Sequence, residues 1–342
     1  MSGVLRTALI GYGLGGRVIH RPLLQAVGSV RLSHVVTADA HRRAQAAADA
    51  PDAALVDSVE GLWDRADEFD AVVVVTRNEA HVPLATAALD LGKAVVVDKP
   101  VALTSSDAQA LADHAVRLGL PLSVFHNRRW DSDTLTARDL LDGGVLGSVH
   151  RLESRFTRFR PDVADRWRER PGGGGVLLDL GSHLVDQAMH LLGPVALVYA
   201  EVRTRRRSAV VDDDVFAALT HVSGASSLLW CSAAAPWTGP RLVLQGSAAG
   251  WVKDDLDGQE QAQRDGTGPP VEAPGRVWDE DGSHPVPSRP GDWAAFYRAF
   301  AGAVLDGGPV PVEPSDAVAV LRVLEAAARS SAAREVVRLP VT

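Results

Sequence analysis

Lysine is scarce in this chain, which has only three lysines beside 32 arginines. One of the three, Lys99, follows the mainly apolar run Ala94–Asp98 and stands directly before Pro100. Arginine stays charged near neutral pH, whereas a partly desolvated ammonium can be tuned toward neutrality. A lysine can also stand at any one position by chance, so its surroundings must decide. We take Lys99 as the first candidate for proton chemistry.

Cysteine, basic leader segments and long apolar runs are also missing. The single cysteine, Cys231, cannot form an intrachain disulfide. Apolar runs such as 71–75 are far too short to span a bilayer, and residues 4–13 indicate a strand entering a turn rather than a signal peptide. A net charge of −8 and a pI near 5.8 argue against a surface for nucleic acid or an acidic membrane. We therefore expect a cytoplasmic protein without nucleic-acid or membrane partners.

The length of 342 residues predicts two domains, which we divide into residues 1–124 and 125–342. The first part alternates short β-branched runs with Ala- and Leu-rich helical stretches, a pattern typical of a parallel sheet with crossover helices. The predicted strands are Leu5–Ile10, Arg31–Thr37, Ala71–Thr76, Ala94–Val97 and Pro121–Phe125.

A glycine-rich motif, Gly11-Tyr12-Gly13-Leu14-Gly15-Gly16, follows the first predicted strand and opens a helix. In such a motif Gly11 permits a tight turn, Gly13 lets the backbone approach a pyrophosphate, and Gly16 allows close helix packing. Alone the motif could be a merely structural turn. Its place after the first strand of a βαβ pattern favours a dinucleotide site, with Tyr12 and Leu14 among the contacts.

The end of the second strand bears on the choice of dinucleotide. NAD sites usually have a carboxylate there, which binds the ribose hydroxyls and repels a 2′-phosphate. Here Thr37 holds that place, Asp39 comes later, and Arg42 follows. Asp39 could still reach a ribose, and Arg42 could be a solvated helix face. We expect NADP, with NAD as the alternative cofactor.

The second half has alternating segments typical of half-exposed antiparallel strands. These are Val195–Arg203, Val215–Val222, Ser226–Ser232 and Arg241–Gln245. We expect Asp254–Asp292, rich in Gly, Pro and acids, to be a long loop or lid with little regular structure, followed by helices Trp293–Leu305 and Ser315–Ser331. The arginine-dense stretch 151–170 is interpreted as strand edges and a polyol or carboxylate pocket.

One helix, ended by Gly193-Pro194, is apolar except for a polar stripe. The stripe consists of Asp179, His183, Asp186 and His190, at i, i+4, i+7 and i+11. A buried helix with one ionisable stripe points it at a cavity, where Asp179 would set the tautomer of His183 for acid–base work. The alternatives are a hydrogen-bonded core histidine and a metal site, for which no clustered Cys or second His speaks. We expect no metal.

Taken together, the residues resemble the glucose-fructose oxidoreductase / inositol dehydrogenase / MocA family over essentially the whole chain. The similar segments are Gly11–Gly16, Thr76–Asn78 with His81, Asp98–Pro100 and Asp179 with His183, and 126–131, 166–168 and 253–260 resemble its NADP-dependent scyllo-inositol dehydrogenase branch. The resemblance implies an α/β protein, with an N-terminal Rossmann parallel sheet and a C-terminal α/β domain built on a largely antiparallel open sheet. Two departures are Asp98 for the usual Glu and Arg77 for a usual Pro.

The resemblance also implies the site. The catalytic residues fall on Lys99, Asp179 and His183. Cofactor contacts beyond the glycine motif and Thr37, Asp39 and Arg42 fall on Thr76, Asn78, His81, Asp98, Lys99 and Asn127. Substrate contacts fall on Lys99, Asn127, Arg128, Trp167, Asp179, His183 and Asp186.

The residues and the family resemblance together predict hydride transfer between a polyol or sugar hydroxyl and NADP(H) or NAD(H). His183 would take the hydroxyl proton while Lys99 stabilises the developing alkoxide, and which of the two is the ultimate base stays open. The alternatives are a dinucleotide-dependent glycosidase and a non-catalytic dinucleotide-binding regulator. We also expect a homo-oligomer, a dimer or tetramer formed through the C-terminal sheet.

Overall fold

The computed structural model describes residues 3–340. Its strands are β1 Leu5–Ile10, β2 Val30–Val36, β3 Ala54–Val56, β4 Ala71–Val74, β5 Ala94–Asp98, β6 Leu122–Phe125, β7 Val149–Thr157, β8 Val195–Arg203, β9 Asp214–His221, β10 Ser226–Ser232, β11 Leu242–Gly246, β12 Gly250–Lys253, β13 Gly275–Asp279, β14 Gly282–Val286 and β15 Val337–Arg338.

The α-helices are α1 Arg21–Gln25, α2 Ala40–Asp49, α3 Val59–Trp63, α4 His81–Asp90, α5 Ser105–Leu118, α6 Ser132–Asp142, α7 Ser182–Leu192, α8 Gln259–Asp265, α9 Ala294–Asp306 and α10 Pro314–Ala333. Single 3₁₀ turns cover Ala66–Glu68, Asn78–Ala80, Asn127–Trp130 and Trp167–Glu169, and π-helical turns cover Gly15–His20 and Leu177–Gly181.

The chain divides into two compact units. The first holds the residues up to Asn127 together with 260–268 and 293–318, and the second holds 128–259, 269–292 and the residues from Ala319 onward. The functional division into residues 1–124 and 125–342 stays a prediction.

The sheet of the first unit is parallel throughout, in the order β3-β2-β1-β4-β5-β6. Its central strands are apolar runs, and Val72–Val74 and Val95–Val97 are fully buried. Continuous apolar runs are what a strand covered on both faces requires. The five predicted strands are confirmed to within two residues at each end, whereas β3 was missed because three residues carry too little pattern.

The sheet of the second unit has nine strands in the order β14-β13-β12-β11-β7-β10-β9-β8-β15. Only β7 and β10 pair in parallel among its described strands. Helix α7 packs on β7 and β10 and so lies against the middle of the sheet. The predicted fold class is therefore confirmed, as are the four antiparallel strands and both terminal helices.

The prediction of a long irregular loop over Asp254–Asp292 is wrong. This segment contains α8 and the hairpin of β13 and β14, which joins the sheet through β12. Val277 is buried at the middle of β13, and Gly275 lies so close to Trp251 that a Cβ there would stand 2.4 Å from its Nε1. Strands of five residues flanked by Gly and Pro offer little sequence pattern, and pairing with β12 stabilises them.

Among residues 3–340, none of the helices combines the length and the apolar character needed to cross a membrane.

Candidate functional site

In the glycine-rich loop, Gly11 and Gly16 leave no room for a side chain, whereas Gly13 faces open space. Gly11 has a φ of +102°, and a Cβ there would lie 2.2 Å from the Val75 carbonyl oxygen. A Cβ on Gly16 would lie 2.0 Å from the Gly11 carbonyl oxygen, whereas one on Gly13 would meet no atom within 4 Å. The helical turn that starts at Gly15 has no acidic residue. An open backbone face before a helix N-terminus fits a dinucleotide pyrophosphate.

Tyr12 and Leu14 occupy opposite environments in this loop. Leu14 is exposed, whereas the Tyr12 ring is buried and its hydroxyl donates to Asp49 Oδ2 at 3.1 Å. Arg17 Nε binds the same carboxylate oxygen at 2.7 Å. Burial, followed by the charge of Asp49, raises the pKa of Tyr12 to about 12. Its hydroxyl therefore ties the loop to the end of α2, and cofactor contacts of Tyr12 and Leu14 stay predictions.

Beyond the end of β2, Thr37 is buried and its amide donates to the Val56 carbonyl at 3.0 Å. Asp39 is the N-cap of α2, because its Oδ1 accepts the Arg42 amide at 2.9 Å. The side chain of Arg42 is exposed. This cap was missed in the sequence, although Asp before an Ala-rich helix is a common cap signal.

The buried His81 joins two of the predicted cofactor segments. Its Nδ1 lies 2.8 Å from the Pro100 carbonyl oxygen and its Nε2 lies 3.3 Å from the Thr76 carbonyl oxygen. Burial lowers the pKa of His81, so the neutral imidazole donates to one of these carbonyls at a time. Asn78, also buried, precedes it on the 3₁₀ turn. The imidazole links the turn after β4 to the segment after β5.

Asp98 lies at the carboxyl end of β5 and holds the backbone of Lys99. Its Oδ1 accepts the Lys99 amide at 2.8 Å, and its Oδ2 lies 3.8 Å from His20 Nε2. The same oxygen would lie 3.6 Å from a Cβ on Gly15, so the carboxylate also adjoins the glycine-rich loop. Burial favours a higher pKa for Asp98, but His20 and the charge of Lys99 outweigh it and lower the pKa to about 2. His20 was not predicted as part of this region, since its only signal in the sequence is a histidine four residues after Gly16.

The helix that carries the polar stripe is not the single α-helix expected from the sequence, because its first turn has π-helical geometry. A π-helical turn, Leu177–Gly181, precedes α7. Asp212 Oδ2 accepts the Leu177 amide at 2.7 Å, which satisfies one free N–H at the start of the turn. Below the same turn, the buried Cys231 donates from Sγ to the Val176 carbonyl at 3.6 Å. Because a π-turn is wider than an α-turn, Asp179 and His183 are not one α-helical turn apart.

Each carboxylate of the stripe has an arginine partner. Asp179 accepts from Arg168 Nε at 3.2 Å, and the Arg168 guanidinium lies 4.4 Å from the centre of the Trp167 ring. Asp186 is buried and binds Arg129, whose Nη2 lies 2.6 Å from its Oδ1. Arg129 is 57 residues away in sequence, so no local pattern predicts this pair. The orientation of His183 by Asp179 stays a prediction.

His183 lies 8% exposed on α7 and stacks on Phe156 at 6.4 Å between ring centroids. Arg128 places its guanidinium 4.7 Å from the centre of the same ring and donates to Asp131 at 2.9 Å. Asn127 is buried at the start of the 3₁₀ turn after β6. Within the first unit the structure brings together the glycine-rich loop and Asp98, and within the second it brings together Arg128, Phe156 and His183.

Known proteins resemble this chain over nearly its whole length. A model of an oxidoreductase family with an NAD-binding Rossmann fold matches residues 5–126, and one of the GFO/IDH/MocA C-terminal domain matches 134–252. The scyllo-inositol 2-dehydrogenase (NADP(+)) IolW of Bacillus subtilis is 32% identical, covering 98% of this chain and 96% of that protein. The uncharacterized oxidoreductase YdgJ of Escherichia coli is 38% identical, covering 95% and 96%.

Solved structures give the same result. The oxidoreductase YvaA of Bacillus subtilis has a TM-score of 0.93 at 31% identity and covers 99% of both chains. The oxidoreductase YPO2259 of Yersinia pestis has a TM-score of 0.92 at 33% identity, covering 100% of this chain and 99% of its own. With both family models matched and relatives of this identity spanning its length, the chain belongs to the GFO/IDH/MocA family of NAD(P)-binding oxidoreductases.

Proposed function

We propose that this protein is a dehydrogenase that moves a hydride between a cyclitol or sugar hydroxyl and NADP(H), with NAD(H) as the alternative cofactor. The observation that carries the proposal is the space beside the backbone of Gly13, just before a helical turn whose first residues include no Asp or Glu. The same chain has Lys99, Asp179 and His183 as candidate catalytic residues. Relatives named for inositol and apiose dehydrogenation support the substrate class.

The preference for NADP rests on the end of β2. Asp39, the nearest carboxylate along the chain, caps α2 through the Arg42 amide, and Thr37 stands where a ribose-binding acid is usual. A 2′-phosphate meets less repulsion beside a hydroxyl than beside a carboxylate. The relative IolW is named as NADP-dependent, which supports the same choice.

The residues would divide the work as follows. Bound NADP supplies the hydride acceptor. His183 takes the hydroxyl proton, and Lys99 donates a hydrogen bond to the substrate oxygen and stabilises its developing charge. Asp179, which accepts a hydrogen bond from Arg168, would set the tautomer of His183 and stabilise its charged form. Substrate contacts of Asn127, Arg128, Trp167 and Asp186 belong to the same proposal, although Asp186 would act together with Arg129.

We further propose a homo-oligomer, a dimer or tetramer formed through the sheet of the second unit. Tyr199, Phe216 and Trp278 lie on strands β8, β9 and β13 and are exposed. The strand register places these three side chains on one face of the sheet. Exposed aromatic residues on one face of a sheet are typical of association surfaces. The cytoplasmic location expected from the sequence stays a prediction.

An activity assay of the purified protein tests the proposed function directly. It is mixed with NADP and, in separate assays, with free cyclitols, free aldoses and glycosides, and both the absorbance of the reduced cofactor and the release of free sugar from the glycosides are followed. A steady rise with at least one polyol is expected. Release of sugar from a glycoside without net reduction would instead favour the glycosidase, and NADP binding without either reaction would favour the regulator.

A further inference from the structure

A histidine outside the predicted site lies in an aromatic environment within the first unit. His20 is 1% exposed at the end of the π-helical turn. Its ring centroid lies 4.3 Å from that of Phe125 and 6.1 Å from that of Tyr297, and Phe125 in turn packs on Phe296 at 4.9 Å. A polar ring buried among aromatic side chains costs free energy unless its nitrogens are paired.

Both ring nitrogens of His20 face a polar group. Nδ1 makes a short hydrogen bond with the Tyr297 hydroxyl, and Nε2 faces Asp98 Oδ2 at 3.8 Å. Burial, followed by the charge of Asp98, raises the pKa of Tyr297 well above its usual value, so this phenol keeps its proton. If the phenol donates to Nδ1, the ring proton of a neutral imidazole must be on Nε2, directed at the carboxylate.

Asp98 connects this pair to the predicted site. Its other oxygen accepts the Lys99 amide at 2.8 Å, and the carboxylate adjoins Gly15. The side chain is 22% exposed, so its orientation depends on the groups that bind it. The charged and titratable groups that act on it are His20, Lys99 and His81, and Tyr297 follows behind His20.

We propose that His20 and Tyr297 are positioning residues of the dehydrogenase: Tyr297 fixes the Nε2–H tautomer of His20, His20 orients Asp98, and Asp98 holds the backbone of Lys99. The inference rests on the proposed function for its kinetic consequence. Its structural part, the direction of the hydrogen bond between the Tyr297 hydroxyl and His20 Nδ1, is independent of any reaction. Neither His20 nor Tyr297 touches substrate in this account, and both act through Asp98.

Two substitutions of His20 separate positioning from packing. The amide nitrogen of Gln reaches the place of Nε2 and that of Asn reaches the place of Nδ1, so His20→Gln keeps a donor toward Asp98 and His20→Asn does not. We expect His20→Gln to retain most of kcat. His20→Asn is expected to lose about 10- to 100-fold in kcat, the scale of a displaced reacting group, with a smaller change in KM for the polyol. Equal losses in both variants would overturn the proposal.

Tyr297→Phe tests the tautomer without removing an aromatic ring. Nitrogen-15 NMR of the histidine-labelled protein should show His20 in the Nε2–H form in the unmodified chain and a mixture of tautomers in Tyr297→Phe. The His20 signals are assigned by their loss in His20→Gln. An Nδ1–H form in the unmodified chain would overturn the proposal, because the phenol would then accept the hydrogen bond.

The two hypotheses fail in different ways. A protein that binds NADP but oxidises no polyol would contradict the proposed function. The positioning roles of His20 and Tyr297 would then be tested by the tautomer of His20 and by the affinity for NADP. This affinity should weaken in His20→Asn and stay unchanged in His20→Gln. A weakening shared by both variants, or by neither, would overturn it.

Discussion

At the scale of single residues, Lys99 is the position where side-chain chemistry matters most for the proposed function. Asp98 binds its backbone amide, so a substitution at 99 can leave the local chain path in place. Arginine keeps the charge but neither the size nor the proton exchange of an ammonium. Comparing the unmodified protein with Lys99→Arg therefore shows whether residue 99 acts through proton transfer and hydrogen bonding or only through its positive charge.

We predict that Lys99→Arg loses most of the turnover while NADP affinity stays near that of the unmodified protein. General acid–base and charge stabilisation of this type contributes ~10²–10⁴-fold. The measurement is kcat/KM with the best polyol, together with NADP affinity by fluorescence, and His183→Asn is measured in parallel. The double variant should lose less than the product of the two single losses, because both groups act on one oxygen. Near-normal turnover of Lys99→Arg would contradict the role given to this lysine.

Thr37 carries the prediction on cofactor choice. Thr37→Asp should shift the ratio of kcat/KM for NADP over NAD toward NAD, because a carboxylate repels the 2′-phosphate. Asp39→Asn is the matched control, since asparagine also caps a helix and leaves position 37 unchanged. Better turnover of the unmodified protein with NAD than with NADP would contradict this assignment.

Residues differ in how far the sequence predicts them. The glycine motif and Lys99 are marked by local pattern, and so was the Asp39 cap, which was overlooked. The pairing of Asp186 with Arg129 could not be predicted, because it depends on how α7 packs beside the turn after β6. Burial of a charge pair of this kind is a property of the tertiary structure.

At the scale of elements, two positions of the glycine-rich loop, Gly13 and Gly16, should respond differently to substitution by alanine. Gly16→Ala places a Cβ against the Gly11 carbonyl, so we expect a loss of about 1–3 kcal/mol in the free energy of unfolding, as for overpacked sites. Gly13→Ala meets no atom within 4 Å, so stability should stay nearly unchanged while NADP affinity falls. Urea unfolding and fluorescence titration of both variants check this. Unchanged NADP affinity in Gly13→Ala would contradict the pyrophosphate site.

The Asp98 carboxylate links two elements and should make stability depend on acid pH. Its pKa of about 2 lies below the usual value for Asp, so its contribution is present above about pH 4 and is lost as the pH falls toward 2. The shift corresponds to roughly 2 kcal/mol at neutral pH. Asp98→Asn should therefore be less stable than the unmodified protein at pH 7 and nearly equal to it near pH 2, as urea unfolding at both pH values would show. The exposed Asp52→Asn serves as the control, and a difference independent of pH would contradict the assignment.

Long periodic elements could be predicted from sequence, and short or distorted ones could not. Continuous apolar runs in the sequence predict the strands β1 and β5, and periodic runs predict the helices α9 and α10. The hairpin of β13 and β14 owes its existence to pairing with β12, and the π-helical turn before α7 depends on Asp212 from another segment. In both cases the stabilising contact comes from a residue or strand distant in sequence, so the local sequence pattern does not contain it.

At the scale of the whole molecule, the proposed association surface leads to the last prediction. Trp278→Glu together with Phe216→Glu places two carboxylates on the exposed face of the second sheet. Like charges facing each other across an interface should shift the protein toward smaller species in sedimentation velocity. Val271→Glu, at a fully exposed position outside the strands, is the control. An unmodified protein that sediments as a monomer would contradict the homo-oligomer.

The buried Cys231 gives the molecule a natural reporter. It is the sole thiol of the chain, burial raises its pKa, and it is bonded to the carbonyl next to the π-helical turn that carries Asp179. Its side chain is 2% exposed, so a thiol reagent reaches it only when the structure around it, which includes that turn, opens locally. The rate at which a thiol reagent modifies Cys231 in the native protein therefore reports how often the segment bearing Asp179 opens, and no engineered cysteine is needed. A tightly bound ligand that orders this segment would slow the modification.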